Sequence, residues 1–351
     1  MESSKRANLT RAAVLLCIGA VVVLVLIVLM GGEGVLRKIS TIRMTPLLAA
    51  LGAQACYVLL WSLRWGLILR AQGHRIPRSI VAITLSGAFF NNITPVWKTG
   101  GEPVRGYLMG KATGSSFEEG LVSVVVDRTF DMAPFVVICL LTFVSLMVLD
   151  ITSSVFILAL VLLGLLSSLC LTAVLVSALL RETAGLRIVT FLLDRLAPLI
   201  RRFRPVEEIR ERLEEALERF YRGVSNISKN KRLLAANFLI SLLIWVLVII
   251  RIKLVLLSLG SDQSALIVNV VAVGSVFAGF IPLLPGGLGI TEVTMGGLFI
   301  ALGIERDVAA SAVLVDRFIS YWLMVIVGAL TSIYVGIRVT GGTSKGENSR
   351  G

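Results

Sequence analysis

Two arrays of ionisable and backbone-special residues recur along this sequence. Pro95-Val-Trp-Lys-Thr-Gly-Gly-Glu102 precedes Asp127-Arg128, and Pro285-Gly-Gly-Leu-Gly-Ile-Thr-Glu292 precedes Asp316-Arg317. Pro to Glu is seven positions in both copies, and Glu to Asp is 25 positions in the first and 24 in the second. Phe90, Gly106 and Leu108 match Phe280, Gly296 and Leu298 at one offset of 190. The chemistry on offer is ionic recognition. Guanidinium groups fork onto phosphate oxygens, and a carboxylate in an apolar setting can relay a proton or cation. The candidate path residues are Glu102, Arg105, Asp127, Arg128, Asp131, Glu292, Asp316 and Arg317. Glu102 with Arg105, and Arg128 with Asp131, are i,i+3 neighbours on helices. Pro95, Gly100, Gly101, Pro285, Gly286, Gly287 and Gly289 supply irregular backbone between the helices. A structural alternative stays open, in which these ions only pin one segment to another.

Other chemistries find little footing. Pro285-Gly-Gly-Leu-Gly before a helix start has the makings of an anion nest. It carries no Lys-Ser/Thr and follows no strand, so it is not a nucleotide loop. The single histidine, His74, lies in a basic loop beside Arg75, which rules out a histidine triad or a histidine-rich metal site. Cys17, Cys56, Cys139 and Cys170 sit in apolar segments without metal spacing and read as free thiols. No metal and no cofactor is expected.

The surroundings of the two arrays are those of a membrane. Of 351 residues, 56% are hydrophobic and only 16% charged, against roughly 25% charged in soluble domains. Mean hydropathy is +0.90. The net charge of +12 fits cytoplasmic loops and anionic lipid surfaces, and no nucleic-acid motif competes with that reading. Segments 11–30, 46–69, 118–149, 153–180, 233–259 and 307–337 each reach the ~20 residues a bilayer requires. The basic flank of 11–30 resembles a signal peptide, but no small-residue cleavage site follows, so it reads as an uncleaved helix. Two further apolar stretches, 80–94 and 265–284, run into the proline elements and are followed by short helical pieces, 103–112 and 293–302. These pieces are too short to cross alone. Each pair reads as a broken or re-entrant hairpin, with one crossing per member as the alternative.

Charge orients these segments. Lys5, Arg6 and Arg11 place the N-terminus in the cytoplasm, as Arg338, Lys345 and Arg350 place the C-terminal tail. Residues 181–232, with 13 basic and 8 acidic side chains, fall on the same side and contain an amphipathic helix from Pro205. Arg37, Lys38 and Arg43 dissent, since they fall outside. Each half holds three spans, an odd number, so the halves must be oppositely oriented. The expected organisation is all-α: a first repeat over 1–150, a second over 151–338 with the insertion 181–232, and a polar tail over 339–351. Inverted repeats with discontinuous helices are a construction of secondary transporters.

Ser116 and Glu119 form a capping box that starts a helix near Phe117. Asp127 is then ~15 Å into the membrane at 1.5 Å per residue. With Asp307 as N-cap, Asp316 lies ~13 Å deep from the other face. Pro134 frees the carbonyl of Phe130 beside this cluster. Trp97 and Lys98 read as interfacial anchors, with contact to a headgroup as the alternative.

Pro95…Gly101-Glu102-Pro-Val-Arg105, Ser123-Val-Val-Val-Asp127-Arg128, Pro285-Gly-Gly-Leu-Gly-Ile-Thr-Glu292 and Asp316-Arg317 resemble the lysylphosphatidylglycerol synthase transmembrane-region family. That family includes the flippase domain of multiple peptide resistance factors and stand-alone relatives. Asn91-Asn92 before Thr94-Pro95 fits as well, and the resemblance spans about 11–337. It implies a multi-pass cell-membrane protein that moves lipids with phosphate-bearing or anionic headgroups between leaflets, without nucleotide hydrolysis. The sequence departs from the synthases in carrying no soluble aminoacyl-transferase domain, so synthase activity is not expected. The competing expectation is a membrane partner or remnant of a lipid-linked glycosyl- or aminoacyl-transferase, and an oligomer or transferase partner is compatible with either.

Overall fold

The computed structural model describes residues 32–94, 100–149, 155–180, 215, 221–222, 224–225, 229–279 and 285–347. The 11–30 segment, Pro95, Trp97, Lys98, most of the 181–232 insertion and the end of the polar tail lie outside them. All regular structure among the described residues is helical: α1 (Gly32–Ser40), α2 (Met44–Ala71), α3 (Ile80–Ile93), α4 (Gly101–Thr113), α5 (Phe117–Leu149) and α6 (Val155–Leu180) in the first part, then α7 (Lys231–Ser258), α8 (Ala265–Gly279), α9 (Ile290–Ala301), α10 (Arg306–Arg317) and α11 (Leu323–Glu347). A short 3-10 turn, Pro285–Gly287, precedes α9, and a π-helical turn, Phe318–Trp322, joins α10 to α11.

Five helical stretches are long and apolar enough to cross a membrane: Met44–Ala71, Phe117–Val148, Ile157–Val174, Lys231–Ser258 and Arg306–Gly336. They match the five expected spans that fall within the described residues. Exposed Leu59, Leu63, Leu141, Leu163, Leu166 and Leu330 cover their outer faces, as a lipid solvent requires where no backbone polar group can be left bare.

α3, α4, α8 and α9 are 14, 13, 15 and 12 residues long. At 1.5 Å per residue each reaches ~18–23 Å, short of the ~30 Å hydrocarbon core. They pack as two antiparallel pairs. A Cβ on Gly101 would overlap the Gly87 carbonyl, so only glycine lets α4 fold back this closely on α3. Gly287 likewise approaches Gly279 across the second pair. The returning helices begin earlier than expected, at Gly101 rather than 103 and at Ile290 rather than 293. Gly101 opens the first turn of α4, whereas Gly286, Gly287 and Gly289 immediately precede α9.

Contacts at the helix ends sort the loops onto two faces. Arg43 N–H donates to the Ser258 carbonyl at 2.8 Å, and Lys38 pairs with Glu305 at 3.4 Å, so 38–43, 258–264 and 302–306 share one face. His74 faces Glu119 at 3.5 Å, and Ile68 and Val122 pack with Val224, Leu233 and Leu234, so 71–79, 114–119, 224–225 and 229–233 share the other. The 28 residues of α2 separate the faces by ~42 Å. The α3–α4 pair therefore opens toward one face and the α8–α9 pair toward the opposite one.

α1 was not foreseen. It is amphipathic, docks on α10 through buried Val35, and carries the dissenting Arg37 and Lys38. Lys38 meets an acid on the same face, which explains how these basic residues are accommodated there. The capping box at α5 is present, with Ser116 N–H donating to Glu119 at 3.3 Å and Glu119 N–H to Ser116 Oγ at 3.2 Å. Asp307 is not the cap of the last span. Glu305 occupies that position and Asp307 lies in the first turn, where a carboxylate still complements the helix dipole.

Candidate functional site

The first cluster gathers on α5. Asp127, fully buried, accepts from Arg64 Nε of α2 at 2.8 Å, Arg105 Nη2 of α4 at 2.8 Å and Trp61 Nε1 at 2.9 Å. Arg64 also reaches Asp131 at 2.6 Å. At the next residue of the helix, Arg128 Nε donates to Glu102 Oε1 at 2.5 Å and its Nη1 to Asp131 at 3.1 Å. The Arg105 guanidinium lies 4.2 Å from the Trp65 ring centroid and 5.1 Å from that of Trp61, close enough for cation–π attraction in a desolvated site. Asn91 ties the turn to this cluster: its Oδ1 accepts from Gly101 N–H at 2.6 Å and its Nδ2 approaches Glu102 at 3.4 Å.

The second cluster gathers on α10. Arg251 of α7 forks onto Asp316, Nε to Oδ1 at 2.8 Å and Nη2 to Oδ2 at 3.3 Å. Arg317 Nε donates to Glu292 Oε1 at 2.6 Å, and its guanidinium lies 4.7 Å from the Tyr321 ring. The Tyr321 hydroxyl donates to the Asn92 carbonyl at 3.1 Å, which joins the tip of the first hairpin to the second cluster. Gly286 sits between these groups with φ +62; a Cβ there would strike the Tyr321 ring and come within 2.9 Å of the Asn92 carbonyl. Left-handed backbone and close approach together demand glycine. Gly287 and Gly289 continue the positive-φ run, at +72 and +80, and Gly100 abuts the Thr94 side chain.

The expected site residues thus segregate into two groups. Each hairpin glutamate is bound to the arginine of the following span, and each aspartate to an arginine of a span that the expectation omitted. Arg105 does not pair with its i,i+3 neighbour Glu102 but turns to Asp127. Arg64 and Arg251 are the residues missed. Each stands 187 positions from the other and holds the equivalent aspartate. Their remaining bonds cross reciprocally: Arg64 Nη1 donates to Ser241 of α7 at 2.9 Å, and Arg251 Nη1 to Gln54 of α2 at 2.7 Å. Ser241 and Gln54 each lie ten residues before the arginine on their own helix. α2 and α7 therefore run antiparallel and meet through like contacts from both sides.

The clusters differ in composition and access. Arg105 has Met295 at the matching position, and Asp131 has Ser320. The side chains of Arg128, Asp131 and Glu102 are 27%, 20% and 13% exposed, whereas those of Arg317, Asp316 and Glu292 are 10%, 4% and 2%. Both clusters retain buried polar atoms that make no hydrogen bond: Arg64 Nη2, Arg105 Nε and Nη1 and Glu102 Oε2 in the first, Arg317 Nη2 and Glu292 Oε2 in the second. Buried donors and acceptors are seldom left so. Buried guanidinium N–H groups without a partner are suited to an oxyanion.

Five long apolar helices, two short hairpins and an ionic interior define a polytopic α-helical membrane protein. The chain belongs to the lysylphosphatidylglycerol synthase TM region family, whose profile matches residues 16–328. It is 31% identical over 336 residues to a UPF0104 membrane protein of Methanothermobacter thermautotrophicus, covering 94% of this chain and 97% of the relative. Similar proteins include a UPF0104 membrane protein of Pyrococcus horikoshii, 31% identical with 90% and 95% covered. Another is a UPF0104 membrane protein of Methanocaldococcus jannaschii, 26% identical with 93% and 96% covered.

Proposed function

We propose that the protein is a lipid transporter of the cell membrane that passes a phosphate-bearing headgroup between leaflets without nucleotide hydrolysis, and that it is not an enzyme. The observation that carries this reading is the pair of buried arginine clusters, at the turns of hairpins that open to opposite faces, with guanidinium nitrogens still free to bond. Charges held at that depth cost about 2.5–3.5 kcal/mol each on insertion scales, and arginine is the side chain suited to phosphate. The two halves form an inverted repeat in this proposal. The reciprocal Arg64–Ser241 and Arg251–Gln54 bonds support it, because a two-fold axis in the membrane plane exchanges one for the other. The basic residues Arg75, Arg78, Lys229, Lys231 and Arg232 support a cytoplasmic assignment of the face they share, with both termini on that side in this proposal.

The test is reconstitution of the purified protein into vesicles carrying a trace of fluorescently tagged anionic glycerophospholipid. A membrane-impermeant quencher added outside removes only the outer-leaflet signal in protein-free vesicles. The proposal expects nearly complete quenching in vesicles that hold the folded protein. Quenching that stops at the protein-free level would overturn it.

A further inference from the structure

We propose that Glu102, and Glu292 in the opposite half, are proton sites coupled to headgroup binding: each takes up a proton when a phosphate oxygen displaces it from its arginine. The inference rests on the lipid-transport reading and supplies its coupling ion.

The geometry of the two glutamates is the same. Each uses one oxygen, Oε1, to accept from one arginine nitrogen, Nε of Arg128 at 2.5 Å or Nε of Arg317 at 2.6 Å. In each the other oxygen, Oε2, is buried and makes no hydrogen bond among the described residues. Arg317 Nη2 is also unbonded, so a fork that can hold two oxygens holds one. A phosphate group offers two oxygens to that fork and can compete for it.

Charge decides what must follow. The first cluster contains Arg64 of α2, Arg105 of α4 and Arg128 of α5 against Glu102 of α4 and Asp127 and Asp131 of α5. The second contains Arg251 of α7 and Arg317 of α10 against Glu292 of α9 and Asp316 of α10, with the Tyr321 ring over Arg317. α3, α6, α8 and α11 through Gly336 bring no charged side chain; α3 contributes the neutral Asn91. Among the described residues each cluster is therefore formally neutral. A monoanionic phosphate added to either would leave one uncompensated negative charge inside the membrane, which is strongly disfavoured.

Protonation of the displaced glutamate removes that charge. Hydronium gives its proton to Glu102 Oε2 and leaves as water; the Arg128 Nε–H bond passes from Glu102 Oε1 to a phosphate oxygen; the cluster returns to neutrality. Release of the headgroup runs the same steps backward. Sodium suits the position poorly. The neighbours of Glu102 Oε1 are nitrogens of Arg128 and Asn91, whereas hard cations collect several oxygens. Glu102, Arg128 and Asp131 are the more exposed set here and Glu292 is closed, so proton exchange begins at Glu102 in this conformation.

Titration calorimetry on the purified protein with dihexanoyl phosphatidylglycerol tests this, run at one pH in two buffers of different ionisation enthalpy. The wild type should take up about one proton per lipid bound, and its affinity should weaken by up to about tenfold per pH unit as pH rises through the titration. Glu102→Gln should bind with proton uptake near zero, while Glu102→Asp should retain uptake. Lipid binding by the wild type with equal heats in both buffers, or binding that follows sodium rather than pH, would overturn the coupling and leave the transport reading standing. Failure of the wild type to bind the lipid at all would overturn both. The wild-type buffer comparison decides the matter even where Glu102→Gln does not fold.

Discussion

Asp127 is the residue on which the first cluster converges, and Asp127→Asn is the perturbation that measures it. The substitution keeps the volume but removes the charge that faces Arg64 and Arg105. Arg64 retains Asp131 at 2.6 Å. Arg105 retains no carboxylate within ion-pair distance, because Asp127 is its one salt-bridge partner among the described residues. Breaking a buried pair from one side costs about 3–5 kcal/mol. At ~2–4 °C per kcal/mol for a large domain, the melting temperature should fall by roughly 6–20 °C. Arg105→Met copies the residue at the matching position of the second half, Met295, and should cost less, about 1.5–3 kcal/mol for a charge-assisted bond, since Asp127 keeps Arg64 and Trp61. The double variant strands no ion, so it should melt above Asp127→Asn alone, with a coupling energy of about 1–3 kcal/mol. Intrinsic tryptophan fluorescence during heating reads this directly, since Trp61 and Trp65 flank the cluster. An Asp127→Asn protein that melts with the wild type, or a double variant no better than the single, would refute the ion-pair reasoning.

Other outcomes follow from the same geometry. Cysteines placed at Ser115 and Glu305 should react with an impermeant thiol reagent from opposite sides of sealed vesicles, and reaction of both from one side would contradict the two-face arrangement. Gly286→Ala should lower stability by about 2 kcal/mol or more, combining ~1–2 kcal/mol for left-handed backbone with displacement of the Tyr321 ring, and thermal melting checks it. Arg251→Met should destabilise more than Arg105→Met, because Asp316 has one arginine and Asp127 has two; melting of the two variants side by side decides the order.

The membrane class, the five described spans, the hairpins and the identity of the ionic residues Glu102, Asp127, Arg128, Glu292, Asp316 and Arg317 were legible because charges stand out against apolar sequence, but which of them pair was not. Spacing also betrays a duplicated element. Arg64 and Arg251 were not legible in the same way. One or two basic residues within an apolar span are tolerated by any hydropathy reading, and the aspartate that Arg64 or Arg251 meets lies 63 or 65 positions away, beyond any local rule. Their shared offset of 187 was the available signal. α1 was hidden because Gly31-Gly32 and a basic run read as a loop, and only its docking on α10 reveals the buried face of Val35. The π turn at Phe318–Trp322 leaves no mark in composition. It occupies the place that 129–133 hold before Pro134 in the first half, and π turns concentrate at functional positions.

The central claim is that the arginines beside the hairpin glutamates handle phosphate rather than only hold the fold. Lysine at both positions keeps the charge and loses the planar fork, so Arg128→Lys with Arg317→Lys separates the two roles. The direct measurement is the rate of leaflet exchange of tagged anionic phospholipid per folded molecule, in vesicles with matched amounts of folded wild-type and doubly substituted protein. The account predicts exchange at least tenfold slower, equivalent to about 1.4 kcal/mol or more of lost interaction. Exchange equal to wild type per folded molecule would contradict it.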